Sequence, residues 1–184
     1  MEIKSFEITK NISLKGFTYL NPKNKQMLFF IHGLASNSSL FIPMASELHK
    51  LGYSSVAIDL RGHGKSSKPS YGYTLEIFSK DISTIIKKYF NKKPIIVGQS
   101  MGANLGVMLA SYSKPIVKGS ICIDGGFINL KTKFPDWSEC KKQLTPPDFD
   151  NISASQLKEL IKKDIRINNE FYVDEMMNLL INDG

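Results

Sequence analysis

Polar and apolar residues alternate along the first part of the chain, and continuous apolar runs replace this alternation further on. Residues 2–9 and 12–19 alternate loosely on either side of Asn11, which is typical of an antiparallel β-hairpin. Residues 27–31 are all apolar and follow a turn signal, as expected of a strand buried on both faces. The pattern therefore predicts a hairpin and then a buried strand.

Helical and strand patterns alternate from there to residue 123. Ser38 or Ser39 is predicted to cap a helix that ends at Gly52, and Thr74 or Leu75 to begin a second helix. Further patterns predict buried strands at residues 53–58, 94–97 and 117–123 and a helix from 101 to about 111. Such alternation is typical of an α/β fold, a parallel sheet with right-handed crossovers and helices on both faces.

The pattern changes after Gly126. Helical spacing returns at residues 153–161 and 172–181, separated from the sheet by loop-like stretches. We expect residues 1–126 to form the core and residues 127–184 to form a mainly helical section appended to it.

The composition adds little to this fold but excludes several classes of protein. An apolar fraction of 42% is ordinary for a soluble globular chain, and no apolar run approaches the ~18 residues that span a bilayer. The N-terminus has no basic segment followed by an apolar one, which favours the cytoplasm. The net charge of +7 comes from scattered lysines, so a nucleic-acid partner is not expected.

The strongest chemical signal is the segment from Gly98 to Gly102, Gly-Gln-Ser-Met-Gly. A predicted strand enters it and a predicted helix leaves it, which is the context that a nucleophile elbow requires. Two glycines permit the tight turn, and the helix N-terminus presents free N–H groups beside Ser100. The alternative is a Ser100 that only caps the helix between turn glycines.

A second signal is His32-Gly33-Leu34, directly after the first buried strand. Acyl transfer needs two preorganised donors for the developing oxyanion, and we expect the N–H groups of Leu34 and Met101 to supply them. Gly33 lets the backbone approach closely, although it could merely permit a turn. His32 precedes the serine, so we expect it to hold the loop rather than to act as the base.

A third segment, Asp59 to Ser66, is rich in glycine and charge but lacks the spacing of a phosphate-binding loop. Its Asp59, Arg61 and His63 are interpreted as structural residues that pair with one another and with nearby backbone.

These three ordered motifs resemble the α/β-hydrolase superfamily, in particular its esterase, lipase and C–C hydrolase-like members. The resemblance covers about residues 10–126. It implies a mostly parallel sheet with an antiparallel second strand, and residues 127–184 resemble the family's helical lid. It also implies Ser100 as nucleophile and Leu34 and Met101 as the oxyanion hole. Gln99 stands where many members carry histidine, with little effect expected on the chemistry.

The resemblance is incomplete where the base is concerned. The mechanism needs a histidine beside the serine, oriented by an acid, yet His32, His49 and His63 all precede Ser100. Asp124, at the end of the sixth strand, is a candidate acid, with a strand-end turn residue as the alternative. Six strands and a lid are predicted, without C-terminal core strands, so the chain is expected to be the N-terminal part of a longer hydrolase. A short protein that has lost catalysis and a second chain that completes the site are alternatives.

The motifs together predict a serine hydrolase acting on a small-molecule ester or similar acyl substrate, with no metal or organic cofactor implied. A catalytically inactive α/β-hydrolase-like binding protein is the competing hypothesis. Acyl transfer or haloperoxidase-type chemistry on the same elbow is a third. The substrate's identity and the oligomeric state do not follow from the sequence.

Overall fold

The structure is a computed structural model that describes residues 1–23, 25–112, 115–127, 129–145 and 152–164, together with residues 170, 173, 174 and 177. The chain divides into two compact units, residues 1–126 and residues 127–184. The first unit holds the sheet and the candidate site.

The sheet contains six strands: β1 (Glu2–Thr9), β2 (Ile12–Tyr19), β3 (Met27–Ile31), β4 (Ser54–Ile58), β5 (Ile95–Gln99) and β6 (Gly119–Ile123). Their order across the sheet is β1-β2-β4-β3-β5-β6. Strand β2 pairs antiparallel with β1 and β4, whereas β4, β3, β5 and β6 are parallel. The predicted α/β class, with six strands in a mostly parallel sheet, is confirmed.

Three helices connect the parallel strands: α1 (Ile42–Lys50), which follows a short 3-10 helix (Ser38–Phe41), α2 (Leu75–Tyr89) and α3 (Met101–Ser111). Thr74 caps α2 as predicted, since its side chain accepts a hydrogen bond from the N–H of Ile77. The predicted cap of the first helix is wrong. Asn37, not Ser38 or Ser39, caps the 3-10 helix, because its side-chain oxygen accepts from the Ser39 N–H at 2.9 Å, and α1 itself begins after Phe41 without a side-chain cap.

The core lies in two layers, one on each face of the sheet. Phe29 of β3 packs with Ile82 of α2 and Leu105 of α3 on one face. Phe30 packs with Ala45 of α1 on the other. Because successive side chains of a strand point to opposite faces, β3 must be apolar throughout, which is the pattern that predicted it.

Strand β6 differs from its prediction as a buried strand. Its residues are only partly buried, and Ile121 is 51% exposed. Among the described residues β6 pairs only with β5, so one edge of the strand has no neighbour.

The described part of the second unit contains α4 (Leu130–Lys133), α5 (Trp137–Leu144) and α6 (Ala154–Asp164). The sequence pattern predicted α6 but not the two shorter helices, and most of the predicted helix at 172–181 lies outside the described residues. No helix in the described part of the chain is long and apolar enough to cross a bilayer. A lid role for this unit stays a prediction.

Candidate active site

Ser100 is the single residue between the end of β5 and the start of α3, and the backbone bends sharply there. Its φ of 52° and ψ of −114° lie in a region that side-chain-bearing residues rarely adopt. The Ser100 N–H still donates to the Ile123 carbonyl at 2.9 Å, so the bend begins where pairing with β6 ends. The Ser100 side chain makes no capping hydrogen bond, which argues against the helix-cap interpretation.

Steric contact explains the two glycines that flank this bend. A Cβ atom on Gly98 would lie 2.2 Å from the Gly102 carbonyl oxygen. A Cβ atom on Gly102 would lie 2.1 Å from the carbonyl oxygen of Ile31, the last residue of β3. Both distances are far below van der Waals contact, so only glycine lets α3 leave the strand this closely.

The loop after β3 lies against the bend. A Cβ atom on Gly33 would be 3.1 Å from the Ser100 Cβ. The next residue, Leu34, has a side chain that is 52% exposed, so the loop reaches the surface. Within the described residues, neither the Leu34 N–H nor the Met101 N–H donates a hydrogen bond to the protein. Two backbone donors are therefore free for a ligand near the serine.

His32 supports this loop through both ring nitrogens. Its Nε2 accepts a hydrogen bond from the Leu60 N–H at 2.9 Å, and a backbone N–H can only donate, so Nδ1 carries the proton. Nδ1 lies 2.7 Å from the Gly33 carbonyl oxygen and donates to it. Burial lowers the pKa of His32 to about 4, although this carbonyl opposes the shift. The neutral ring has no free lone pair with which to accept a proton from Ser100.

Gln99 also contacts the loop, a role that the sequence pattern did not predict. The Gly33 N–H donates to the Gln99 side-chain oxygen at 3.0 Å. The only signal in the sequence was its position beside Ser100, because the contact joins residues 66 positions apart.

Asp124 follows β6 on the other side of the bend. The register pairs Gln99 with Ile123, so Asp124 lies level with Ser100 at the carboxyl edge of the sheet. Its carboxylate is exposed and bonds to none of the described residues. A Cβ atom on Gly125 would be 2.6 Å from the Ser100 carbonyl oxygen, so this loop packs tightly on the bend. The role of Asp124 as an acid stays a prediction.

The charged loop after β4 is structural, with one correction to its predicted pairing. The Asp59 carboxylate accepts from the N–H groups of Ser38 at 2.8 Å and Lys65 at 2.9 Å. Arg61 does not pair with Asp59. It makes two hydrogen bonds to Asp81 of α2, at 2.8 and 2.9 Å, and both side chains are buried.

The other two histidines are engaged elsewhere. His63 Nδ1 lies 3.0 Å from the Arg61 carbonyl oxygen, and the His63 ring centroid is 5.0 Å from that of His32. His49 lies on α1 against the ring of Tyr19, at 5.5 Å. In the ranges that the structure describes, no cluster of three or more His, Cys, Asp or Glu residues could hold a metal ion.

Comparison with known proteins identifies a matching family and several relatives. Residues 26–162 match the family described as alpha/beta hydrolase fold. The 2-(acetamidomethylene)succinate hydrolase of Mesorhizobium japonicum is 33% identical over 117 residues, 64% of this chain and 39% of that protein. Protein ABHD8 of Homo sapiens is 35% identical over 102 residues, 54% of this chain and 23% of that protein.

A solved structure of E-2-(acetamidomethylene)succinate hydrolase aligns with a TM-score of 0.72 and 26% identity, covering 95% of this chain and 61% of that chain. The chain spans less than half the length of these two curated relatives.

Proposed function

The chain belongs to the α/β-hydrolase fold family, and from that premise we propose that it is a serine hydrolase acting on an ester or a similar acyl substrate through Ser100. The observation that carries the proposal is the bend at Ser100, with a φ of 52°, between a strand and a helix and beside two backbone N–H groups that donate to none of the described residues. A strained serine held in this way has its hydroxyl clear of the helix and strand hydrogen bonds.

The proposed reaction has two halves. The Ser100 hydroxyl attacks the substrate carbonyl carbon and gives its proton to a base, while the carbonyl oxygen becomes an oxyanion. The N–H groups of Leu34 and Met101 donate to that oxyanion. The bond to the leaving group then breaks, and the leaving group takes the proton. Water attacks the resulting acyl ester, releases the acid and restores Ser100.

The base is proposed to be a histidine outside these 184 residues. Both ring nitrogens of His32 are hydrogen-bonded, and no histidine follows Ser100 in the chain. Asp124 is the candidate acid within the chain, because it is level with Ser100 at the sheet edge. Residues 127–184 are proposed to serve as a helical lid, and the protein is proposed to act in the cytoplasm.

The same observation on the histidines favours one second candidate function. A chain whose Ser100 never meets a base would bind an acyl compound at the two free N–H groups without turnover. This second candidate is a catalytically inactive binding protein of the same fold.

A fluorophosphonate probe distinguishes the two functions. We expect the probe to phosphonylate Ser100 when imidazole is added as an external base, with loss of fluoride, and mass spectrometry of the peptide locates the adduct. Ser100→Ala abolishes the adduct. Ser111→Ala is the matched control, because that hydroxyl bonds to the Met108 carbonyl at the far end of α3. An unmodified Ser100 in the presence of imidazole would favour the binding protein instead.

A further inference from the structure

Gln99 joins two parts of the chain that the proposed chemistry needs at a fixed separation. Its side-chain oxygen accepts the Gly33 N–H at 3.0 Å, and a Cβ atom on Gly33 would lie only 2.5 Å from that oxygen. The side chain is half-buried beside the bend. It therefore ties the end of β5 to the loop after β3.

Two peptide groups meet at Gly33, and each is held by a different side chain. The N–H of the first peptide is bound by Gln99, and the carbonyl of the second accepts from His32 Nδ1 at 2.7 Å. The N–H of that second peptide belongs to Leu34. Because a peptide group is planar, the Leu34 N–H points opposite to this carbonyl and turns with it.

Gly33 is the residue of this loop whose backbone is least restricted by its own side chain. Glycine has the widest choice of backbone angles, so a peptide that follows it is poorly oriented unless both sides are held. His32 alone holds only the carbonyl side. The contact from Gln99 removes the remaining freedom at the N–H side.

We propose that Gln99 is a positioning residue of the oxyanion site, which holds Gly33 so that the Leu34 N–H points to where the oxyanion forms. The inference rests on the proposed function, since it takes Leu34 as an oxyanion donor. Preorganised donors stabilise the transition state because they need no reorganisation during the reaction. Glutamine suits this position because its oxygen accepts a hydrogen bond without adding negative charge beside the oxyanion.

A Ser100→Cys variant allows a test that needs no histidine, because a thiolate attacks without a general base. With p-nitrophenyl acetate the thiolate adds to the carbonyl, passes through an oxyanion and forms a thioester as p-nitrophenolate leaves. With iodoacetamide the thiolate displaces iodide at a saturated carbon and no oxyanion forms. The ratio of the two rates, followed by mass spectrometry on the peptide containing residue 100, isolates the oxyanion contribution from thiol reactivity.

We expect Gln99→Met in this background to lower the ratio of acylation to alkylation about tenfold, because a misdirected donor loses much of its effect. Alkylation stays unchanged because it forms no oxyanion, and urea unfolding checks that the variant is folded. The Gly33 amide exchanges its hydrogen faster. Gln26→Met is the matched control: Gln26 precedes β3 at the opposite edge of the sheet and bonds to Met27 and Lys118.

The outcomes separate this inference from the proposed function. If the Gln99→Met ratio matches that of the parent while both exceed the ratio for N-acetylcysteine, the role of Gln99 is wrong and the oxyanion site stands. Unchanged exchange at the Gly33 amide also overturns it. If the ratio of acylation to alkylation in the parent is no higher than the ratio for N-acetylcysteine, the oxyanion site and the proposed function are both wrong.

Discussion

At the residue scale, backbone strain marks the candidate site more clearly than any side chain. Within the described residues three non-glycine residues have a positive φ: Ala35 at 53°, Ser100 at 52° and Asp124 at 47°. They follow β3, β5 and β6 respectively, at the carboxyl ends of neighbouring parallel strands. Such strain costs about 1–3 kcal/mol for each residue and persists where the surrounding structure demands it. Three instances at one sheet edge support the proposed site.

The strain at Ser100 predicts that a substitution which relieves it raises stability and removes function. Ser100→Gly relieves the left-handed backbone and should raise the free energy of unfolding by about 1 kcal/mol while removing all reaction with the fluorophosphonate. The same change at Ser83, which is regular helix in α2, should lower stability by about 0.5 kcal/mol. Urea unfolding measures both variants. A Ser100→Gly chain no more stable than the parent would refute the strain.

The buried His32 ring makes stability depend on pH. Its pKa falls from 6.5 to about 4 on folding, so between these values the unfolded chain binds a proton that the folded chain excludes. The resulting contribution to the free energy of unfolding is complete above pH 6.5 and is lost as the pH falls towards 4. It amounts to about 2 kcal/mol between pH 7.5 and pH 5.

Urea unfolding at those two pH values tests the assignment to His32. The groups that face the ring are His63, 5.0 Å away, and Asp59. In His32→Gln the side-chain amide can still accept from the Leu60 N–H, but nothing titrates there. We expect the variant to be less stable than the parent at pH 7.5. Between pH 7.5 and pH 5 the variant should lose less stability than the parent does. An equal loss in the parent and the variant would mean that another group is responsible.

At the element scale, the site is the junction of β5 with α3, and contact distances determine its sequence. A single residue separates the end of the strand from the start of the helix, so the carbonyls of Gly102 and Ile31 lie where side chains on Gly98 and Gly102 would otherwise stand. The predicted strand and helix on either side of Ser100 follow from local periodicity. The close approach of α3 to β3 does not, because periodicity carries no information on distance between elements.

The junction predicts a contrast between two glycines. Gly98→Ala should lower the free energy of unfolding by more than about 2 kcal/mol, because its methyl group would lie 2.2 Å from a backbone oxygen. Gly119→Ala, at the start of β6, has no atom within 4 Å of the added carbon. It should be neutral or stabilising by about 0.5 kcal/mol. Similar losses in both variants would contradict this steric account.

At the scale of the whole molecule, the sequence predicts the strands, the main helices and the family, but not the pairings between distant residues. The apolar run of β3 and the motif around Ser100 are local patterns, so the sequence alone predicts them. The Gln99–Gly33 and Arg61–Asp81 contacts join residues 66 and 20 positions apart, and no local pattern specifies them. Nor did the pattern predict the exposure of β6, since burial depends on which strand lies beside it.

The Arg61–Asp81 pair links the loop after β4 to α2, and its loss should destabilise the entire first unit. Asp81→Ala leaves a buried guanidinium unpaired, which should lower the free energy of unfolding by about 3–5 kcal/mol. Glu47→Ala removes the exposed partner of Lys50, a 2.6 Å pair, and should change stability by less than about 0.5 kcal/mol. Comparable effects in thermal unfolding would show that the buried pair does not anchor the loop.

A crystal structure of the chain phosphonylated at Ser100 tests the proposed oxyanion site. We expect the phosphoryl oxygen to accept hydrogen bonds from both the Leu34 N–H and the Met101 N–H, at about 2.7–3.1 Å. Residue 100 should keep its left-handed backbone between β5 and α3. A phosphoryl oxygen that faces solvent, with neither amide within hydrogen-bonding distance, would show that this bend does not stabilise an oxyanion.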